Sequence, residues 1–260
     1  MKTVLRQFGA LIRLSFTELW RRNDVFGLLI LALALMVPLS LSTPFGVSGA
    51  SRYLDEVALL LIWGFSLFVA IGTGARLFPP EFDSRTIYPL LSKPISRGRL
   101  LVGKYLGAVA AAWSALAFFY VLFALSVGLR GGGWLAPDFV QAFVLHAAFV
   151  ALAVALALLG SLLVTPSANL TLCGIVLVSM FFFGRKLPEF ADAAPAPASW
   201  LVKAAYVFAP HAEFFDMRQR VIHGWGTVDG VAFAAVLCYA AVYVTAMLAT
   251  AALILGRRRV

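Results

Sequence analysis

The sequence predicts an all-α polytopic membrane protein with six transmembrane helices. Hydrophobic residues make up 62% of the 260-residue chain, whereas soluble domains average about 45–50%. They collect in six apolar runs, each comparable in length to a helix that crosses a hydrocarbon core of about 30 Å. Only 13% of the residues are charged, and most of these lie between the runs. We therefore treat residues 1–260 as a single transmembrane domain.

The first 22 residues have the pattern of an amphipathic helix at a membrane surface. Apolar side chains recur at spacings of three and four from Val4 to Trp20, with Arg6 and Arg13 on the other side. A signal peptide is the competing interpretation. It is disfavoured because its charged region would be too long and Ser48-Gly49-Ala50 is a weak cleavage site.

The six predicted spans follow this helix in order. The fifth is short, at about 15 residues against a usual minimum of about 17, so we expect either a half-span or a crossing that uses neighbouring residues. The spans are Val25–Leu41, Val57–Phe78, Leu101–Leu129, Phe139–Val164, Leu170–Gly184 and Val231–Leu255.

The basic residues predict the orientation. If the amino terminus is cytoplasmic, most of the 21 Lys and Arg residues fall on the inner side, as the positive-inside bias requires. We predict cytoplasmic termini and a location in the inner membrane of a bacterium. The net charge of +9 then reflects orientation and contact with membrane lipids, and no nucleic-acid partner is predicted.

A polar cytoplasmic segment, residues 79–99, joins the second and third spans. Pro79 and Pro80 suit the start of a helix, Pro89 ends it after about two turns, and Ser96 caps the helix that continues as span three. An ordinary basic loop that holds anionic lipid is the alternative. The segment also carries apolar side chains suited to a groove in a partner protein: Phe82, Ile87, Leu90, Leu91 and Ile95.

The longest outer segment is 185–230. Its Ala-Pro repeat fits a flexible linker, but the stretch from Val207 to Trp225 is too apolar for one. We predict short helices at the outer membrane surface.

The chain lacks the groups that would power transport by itself. No Asp or Glu lies inside a predicted span, and proton-driven transport usually needs titrating groups at depth. Sodium coupling through backbone carbonyls at broken helices stays open. Gly98, Gly103 and Lys104 have P-loop spacing, but Tyr105 stands where Ser or Thr should follow. We therefore predict no ATPase motif, no enzyme activity and no catalytic, cofactor or metal site in this chain.

Two further features concern helix packing. His146 lies in the fourth span and is expected either to bond across helices or to contact a transported molecule. Gly103 and Gly107 form a GxxxG motif, and Gly72 and Gly74 thin the second span. Both pairs allow close helix approach, either within the subunit or, for the GxxxG motif, in a dimer.

Three motifs follow one another from the polar segment into the start of the third span. They are Glu81-Phe82-Asp83-Ser84-Arg85-Thr86, then Leu90-Leu91-Ser92-Lys93-Pro94-Ile95-Ser96-Arg97, then Gly103-Lys104-Tyr105-Leu106-Gly107. These motifs resemble the inner-loop signature of ABC-2 type permeases, the membrane subunits of ABC exporters. The closest subgroup by resemblance includes the permease that serves nitrous oxide reductase maturation.

This resemblance implies partners and a role. It implies two copies of an ABC ATPase subunit, which bind ATP and Mg, and a second copy of this chain or a homologous permease. The polar segment would be the coupling helix in export or flipping of a lipid-like substrate. The residues it assigns to ATPase contact are Glu81, Phe82, Asp83, Arg85, Thr86, Leu90, Leu91, Pro94 and Arg97.

Two other roles stay open. A mechanotransmitting or assembly subunit would act on an extracytoplasmic partner through residues 185–230 without moving a substrate. An ABC importer permease is a third reading, and it is disfavoured because no inner loop carries an EAA-like docking motif.

Overall fold

The computed structural model describes residues 50–79, 97–130 and 136–257, with scattered positions between residues 9 and 38. The described residues form helices and turns with no β-strand among them, as the predicted fold class requires. The predicted interfacial helix 1–22 and first span Val25–Leu41 lie largely outside these residues. Residues 80–96 of the polar segment lie entirely outside them, and the term polar segment is used below for these residues.

Within the described ranges, five helices are long and apolar enough to cross a membrane. They correspond to the second to sixth predicted spans, whereas the first predicted span is not covered. The five are α1 (Ala50–Ala75), α2 (Arg97–Leu129), α3 (Pro137–Ser161), α4 (Pro166–Phe183) and α8 (Gly230–Arg257).

The segment between α4 and α8 contains short helices. In order these are a 3₁₀ turn (Gly184–Lys186), α5 (Leu187–Ala193), α6 (Ala198–Phe208), a second 3₁₀ turn (Ala212–Phe215) and α7 (Arg218–His223). Their position at the outer membrane surface stays a prediction.

The spans alternate between two ends of the bundle. At one end, which also contains Leu77, Arg97 hydrogen-bonds to Gly256. We call this the coupling end, because the predicted coupling segment joins α1 to α2 there. We call the opposite end the distal end, where Arg130 pairs with Asp55. The polar segment 80–96 therefore leaves and re-enters the bundle at the coupling end, and the short helices after α4 lie at the distal end.

Helix α3 is the centre of the bundle and packs against α1, α2, α4 and α8. Small side chains alternate along it, and Ala151, Ala153, Ala155 and Ala157 are all buried. Because alanine methyl groups let backbones approach closely, this pattern suits a helix that must contact four others.

Helix α4 begins earlier than the sequence predicted, at Pro166 rather than at Leu170. Proline fits the first helical turn because the missing N–H would have no partner there. Asn169 resembled a loop residue in the sequence but is buried, with its Nδ2 donating to the Ala157 carbonyl at 2.7 Å. The 18 residues of α4 fall within the range of about 17–25 residues for a membrane-spanning helix.

Two glycines permit the close contacts of α3. A methyl group on Gly74 would lie 2.7 Å from Cβ of Ala157, whereas one on Gly72 would meet nothing within 4 Å. The predicted close approach therefore involves Gly74 alone. Gly160 of α3 lies against Asn169, and an added methyl would overlap that side chain. In α2, both glycines of the GxxxG motif are buried within the subunit, which favours intramolecular packing.

We predict that Gly160→Ala destabilises the protein by about 1–3 kcal/mol, because the Asn169 side chain would have to move. Thermal unfolding in detergent measures this effect. The matched control is Gly174→Ala in α4, where the added methyl meets nothing within 4 Å and helix propensity favours alanine. In an Asn169→Ala background the Gly160→Ala penalty should disappear. Equal stability of the two single variants would contradict this packing.

Candidate coupling site

The coupling end brings together the carboxyl ends of two helices. The last four carbonyls of an α-helix have no partner inside the helix, and this end carries a partial negative charge. Helix α1 ends at Ala75 and α8 at Arg257, so both present such carbonyls here. Arg97 of α2 donates to two of these carbonyls in α8, and Lys104 of α2 donates to the Leu77 carbonyl, two residues beyond the end of α1.

Lys104 lies about two turns into α2 and reaches the residues that follow α1. Its Nζ donates to the Leu77 carbonyl at 2.8 Å and lies 4.9 Å from the ring centroid of Phe78. Lys104 is only 6% exposed and Phe78 is fully buried. A hydrogen bond and a cation–π contact thus hold the ammonium group inside the protein. They attach α2 to the point where the chain leaves α1.

Arg97 is the first residue of α2 and reaches the end of α8. Its Nη1 donates to the carbonyls of Leu255 and Gly256, each at 3.0 Å. The guanidinium therefore satisfies two carboxyl-terminal carbonyls of α8 and places a positive charge at the negative end of that helix. The start of α2 is thereby joined to the end of the last span.

Lys104 and Arg97 make their contacts on the two sides of the polar segment. Residues 80–96 begin just after buried Phe78 and end just before Arg97, so both of their attachment points contact other spans. Of the predicted ATPase contacts, only Arg97 falls within the described residues. The others, which lie outside them, are Glu81, Phe82, Asp83, Arg85, Thr86, Leu90, Leu91 and Pro94.

The region with P-loop spacing is helical. Gly98, Gly103 and Lys104 all lie within the continuous helix α2, whereas a phosphate-binding loop precedes its helix and turns backbone N–H groups toward the phosphate. The Lys104 ammonium is also engaged with Leu77. This geometry serves helix attachment rather than nucleotide binding.

His146 lies at the centre of a polar cluster between α1, α2 and α3. It is fully buried, with its Nε2 2.7 Å from Oγ of Ser66 and its Nδ1 3.2 Å from the hydroxyl of Tyr120. The imidazole also stacks on Trp63 at a centroid distance of 4.4 Å. The sequence had identified the histidine but not its partners.

One proton arrangement satisfies the whole cluster. Ser66 donates to the Trp63 carbonyl at 3.1 Å, so its oxygen accepts from Nε2–H of His146. Nδ1 then accepts from the Tyr120 hydroxyl, and a neutral imidazole pairs every group. The cavity beside the cluster is about 10 Å³, room for one water at most. Of the two expectations for His146, this geometry favours packing between helices over contact with cargo.

At the distal end, side chains fasten the segment after α4 to the spans. Gln141 of α3 binds the backbone of Val228 twice, donating to its carbonyl at 3.2 Å and accepting from its N–H at 2.8 Å. Gln219 of α7 donates to Glu56 of α1 at 2.6 Å. Sequence reasoning missed these pairs because each joins residues far apart in the chain.

The chain matches the family model described as ABC-2 family transporter protein over residues 41–257. The chain belongs to this family. The match spans the polar segment, both of its attachment points and all five described spans. No curated protein matches the chain with significant similarity, and nothing supports the narrower nitrous oxide reductase subgroup.

Membership in the ABC-2 family makes this chain an integral membrane permease subunit of an ABC transporter. Members of the family generally work with a separate ABC ATPase, often as a dimer, and carry no ATPase domain of their own. In this subunit, the residues around Arg97 and Lys104 form a structural frame at the coupling end.

We predict that Lys104→Met destabilises this ABC-2 permease by about 1–3 kcal/mol, because a buried carbonyl at Leu77 loses its donor. Thermal unfolding in detergent gives the measurement. Lys203→Met is the control, since that lysine has a side chain 53% exposed and, among the described residues, pairs with an exposed Asp192; surface changes of this kind stay within about 0.5 kcal/mol. A similar loss of stability in both variants would show that Lys104 does not hold α2 to the residues that follow α1.

Proposed function

We propose that this subunit couples ATP hydrolysis by a separate ATPase to the export or flipping of a lipid-like molecule. The observation that carries the proposal is the attachment of the polar segment 80–96 at both ends. Lys104 joins α2 to the exit from α1, and Arg97 joins α2 to the end of α8. A push on the segment would therefore reach three spans together.

The contacts suit transmission of force. Hydrogen bonds with an ionised donor are about twice as strong as neutral ones, so the tied helix ends would move together. Helices α1 and α3 meet closely where Gly74 lies against Ala157. They are also joined by the Ser66–His146 hydrogen bond and by Trp63 stacked on His146, so we expect movement of α1 to carry α3 with it.

The proposed complex contains two ATPase copies, which bind ATP and Mg, and two permease subunits. In the part of the chain that the structure describes, helix α8 buries few side chains, namely Ala240, Ala251 and Leu255. Its remaining apolar surface needs cover from lipid or from a second permease copy. We place the coupling end in the cytoplasm of a bacterium and the complex in the inner membrane, since the predicted topology puts most of the 21 Lys and Arg residues on that side.

A second candidate is force transmission to an extracytoplasmic partner without transport. It is favoured by the firm attachment of the distal segment to the spans, through Gln141 and Val228 and through the His211 N–H, which donates to the Tyr239 hydroxyl at 2.9 Å. Movement of α3 or α8 would carry this segment with it. Reconstituted transport in vesicles that hold the full complex separates the two, because only the first role moves a lipid between leaflets.

We predict that Leu91→Asp or Pro94→Asp releases a co-expressed ATPase from membranes, because a carboxylate would have to enter the apolar groove of the partner. Co-purification of the tagged permease measures retention. Thr227→Asp is the control, since Thr227 is exposed at the distal end and its change should leave retention intact. The purified permease alone should hydrolyse no ATP. Full retention of the ATPase by both segment variants would refute the proposed contact.

A further inference from the structure

A polar cavity of about 420 Å³ lies at the distal end, between the end of α4 and residues 213–225. Its lining combines aromatic rings with both acidic and basic side chains. The coupling mechanism uses none of these residues. A cavity of this size holds a small ligand or a lipid headgroup.

Glu213 forms part of the cavity wall and has an unused acceptor. Its residue is 7% exposed, and its Oε1 lies 3.1 Å from Nδ1 of His211. Its Oε2 is buried and has no hydrogen-bond partner among the described residues. Gly184 leaves room for the carboxylate, because any side chain there would overlap it. Glu213 therefore brings a carboxylate with an unsatisfied oxygen to the cavity wall, which can accept from a ligand group that carries N–H or O–H.

Three cations line the same cavity without neutralising Glu213. Arg185 and Lys186 are exposed, Arg220 is half-buried, and in the described part of the chain none of them forms an ion pair. The negative charge of Asp216, which also lines the cavity, is neutralised by Arg218. The guanidinium donates to both carboxylate oxygens of Asp216, each at 3.0 Å. The cavity therefore offers a cluster of positive charge for an anion and a separate carboxylate for a donor.

An apolar groove of about 240 Å³ adjoins this cavity and lies against the spans. Phe181 and Phe182 belong to both. The groove then runs between α1 and α4, past Leu60, Gly64 and Val178, and exposes no polar lining. The polar cavity lies at the end of a span, and the apolar groove beside it follows that span. This arrangement suits a lipid, whose polar headgroup is joined to an acyl chain.

We propose that this composite site binds a zwitterionic phospholipid whose headgroup carries a phosphate and a primary ammonium. The phosphate lies among Arg185, Lys186 and Arg220, the ammonium donates to the carboxylate of Glu213, and one acyl chain lies in the groove. As a statement about transported cargo, this inference rests on the proposed function. As a statement about binding it stands alone, so the experiment uses the permease without its ATPase.

The experiment is native mass spectrometry of the delipidated full-length permease titrated with phosphatidylethanolamine and phosphatidylcholine of identical chains. The two lipids share the phosphate, but the quaternary choline nitrogen has no N–H to donate. We expect phosphatidylethanolamine to bind about tenfold more tightly or better, as for a hydrogen bond between charged groups. Equal binding of the two lipids by the wild-type protein would overturn the proposal without any variant.

Variants assign the preference to its residues. Glu213→Gln should bring the two lipids to similar affinity, whereas Arg220→Gln should weaken both to the same degree. Lys203→Gln, which lies outside the cavity, is the matched control and should change neither. If Glu213→Gln folds and still discriminates between the lipids as the wild type does, the role of its carboxylate is wrong.

A further variant tests the groove separately from the cavity that would hold the headgroup. Gly64→Leu adds a side chain where nothing lies within 4 Å, so it should fill the groove without disturbing the fold. It should weaken phosphatidylethanolamine and leave the weak binding of soluble glycerophosphoethanolamine unchanged. Unchanged lipid binding in Gly64→Leu would remove the groove from the site. Failure of these binding experiments leaves ATPase retention unaffected, so it is distinguishable from failure of the proposed function.

Discussion

Backbone carbonyls at the ends of membrane-spanning helices must find donors, and the rest of this structure depends on how that is done. An unpaired polar group in an apolar environment costs several kcal/mol. Here two cations from α2 serve carbonyls at the ends of two other spans. Lys104 serves Leu77, just after α1, and Arg97 serves the end of α8. The chemical requirement for capping thereby fixes the relative positions of three helices at the place where the polar segment enters and leaves.

The same requirement explains the polar groups deeper in the bundle. His146 is paired on both ring nitrogens, and the Asn169 amide bridges α4 to α3. Against this background, two buried side-chain atoms in the described ranges have no partner, Oε2 of Glu213 and Nη1 of Arg130. Only Glu213 of the two lines the cavity that adjoins an apolar groove. That contrast is why we propose a binding site, and not a packing defect, at the distal cavity.

The sequence predicted the five spans that the structure describes, the second to the sixth, because apolar runs of membrane length allow few alternatives. It misplaced their ends where polar residues continue a helix, as in α4, where Asn169 is buried by a contact that only the fold creates. Partners such as Ser66 and His146 lie 80 residues apart, so no local pattern joins them. Lys104 offered one usable signal, since a lysine inside an apolar helix needs a partner. Glu213 offered none, because its isolation depends on how α4 and the distal segment meet.

The central claim is that the polar segment faces the cytosol, opposite the distal end. It is tested by labelling single cysteines with a membrane-impermeant maleimide in a permease lacking Cys173 and Cys238, comparing Lys93→Cys with Thr227→Cys. The account predicts that intact spheroplasts label position 227 and spare position 93, and that inside-out vesicles show the reverse. Labelling of position 93 from outside intact spheroplasts would contradict it.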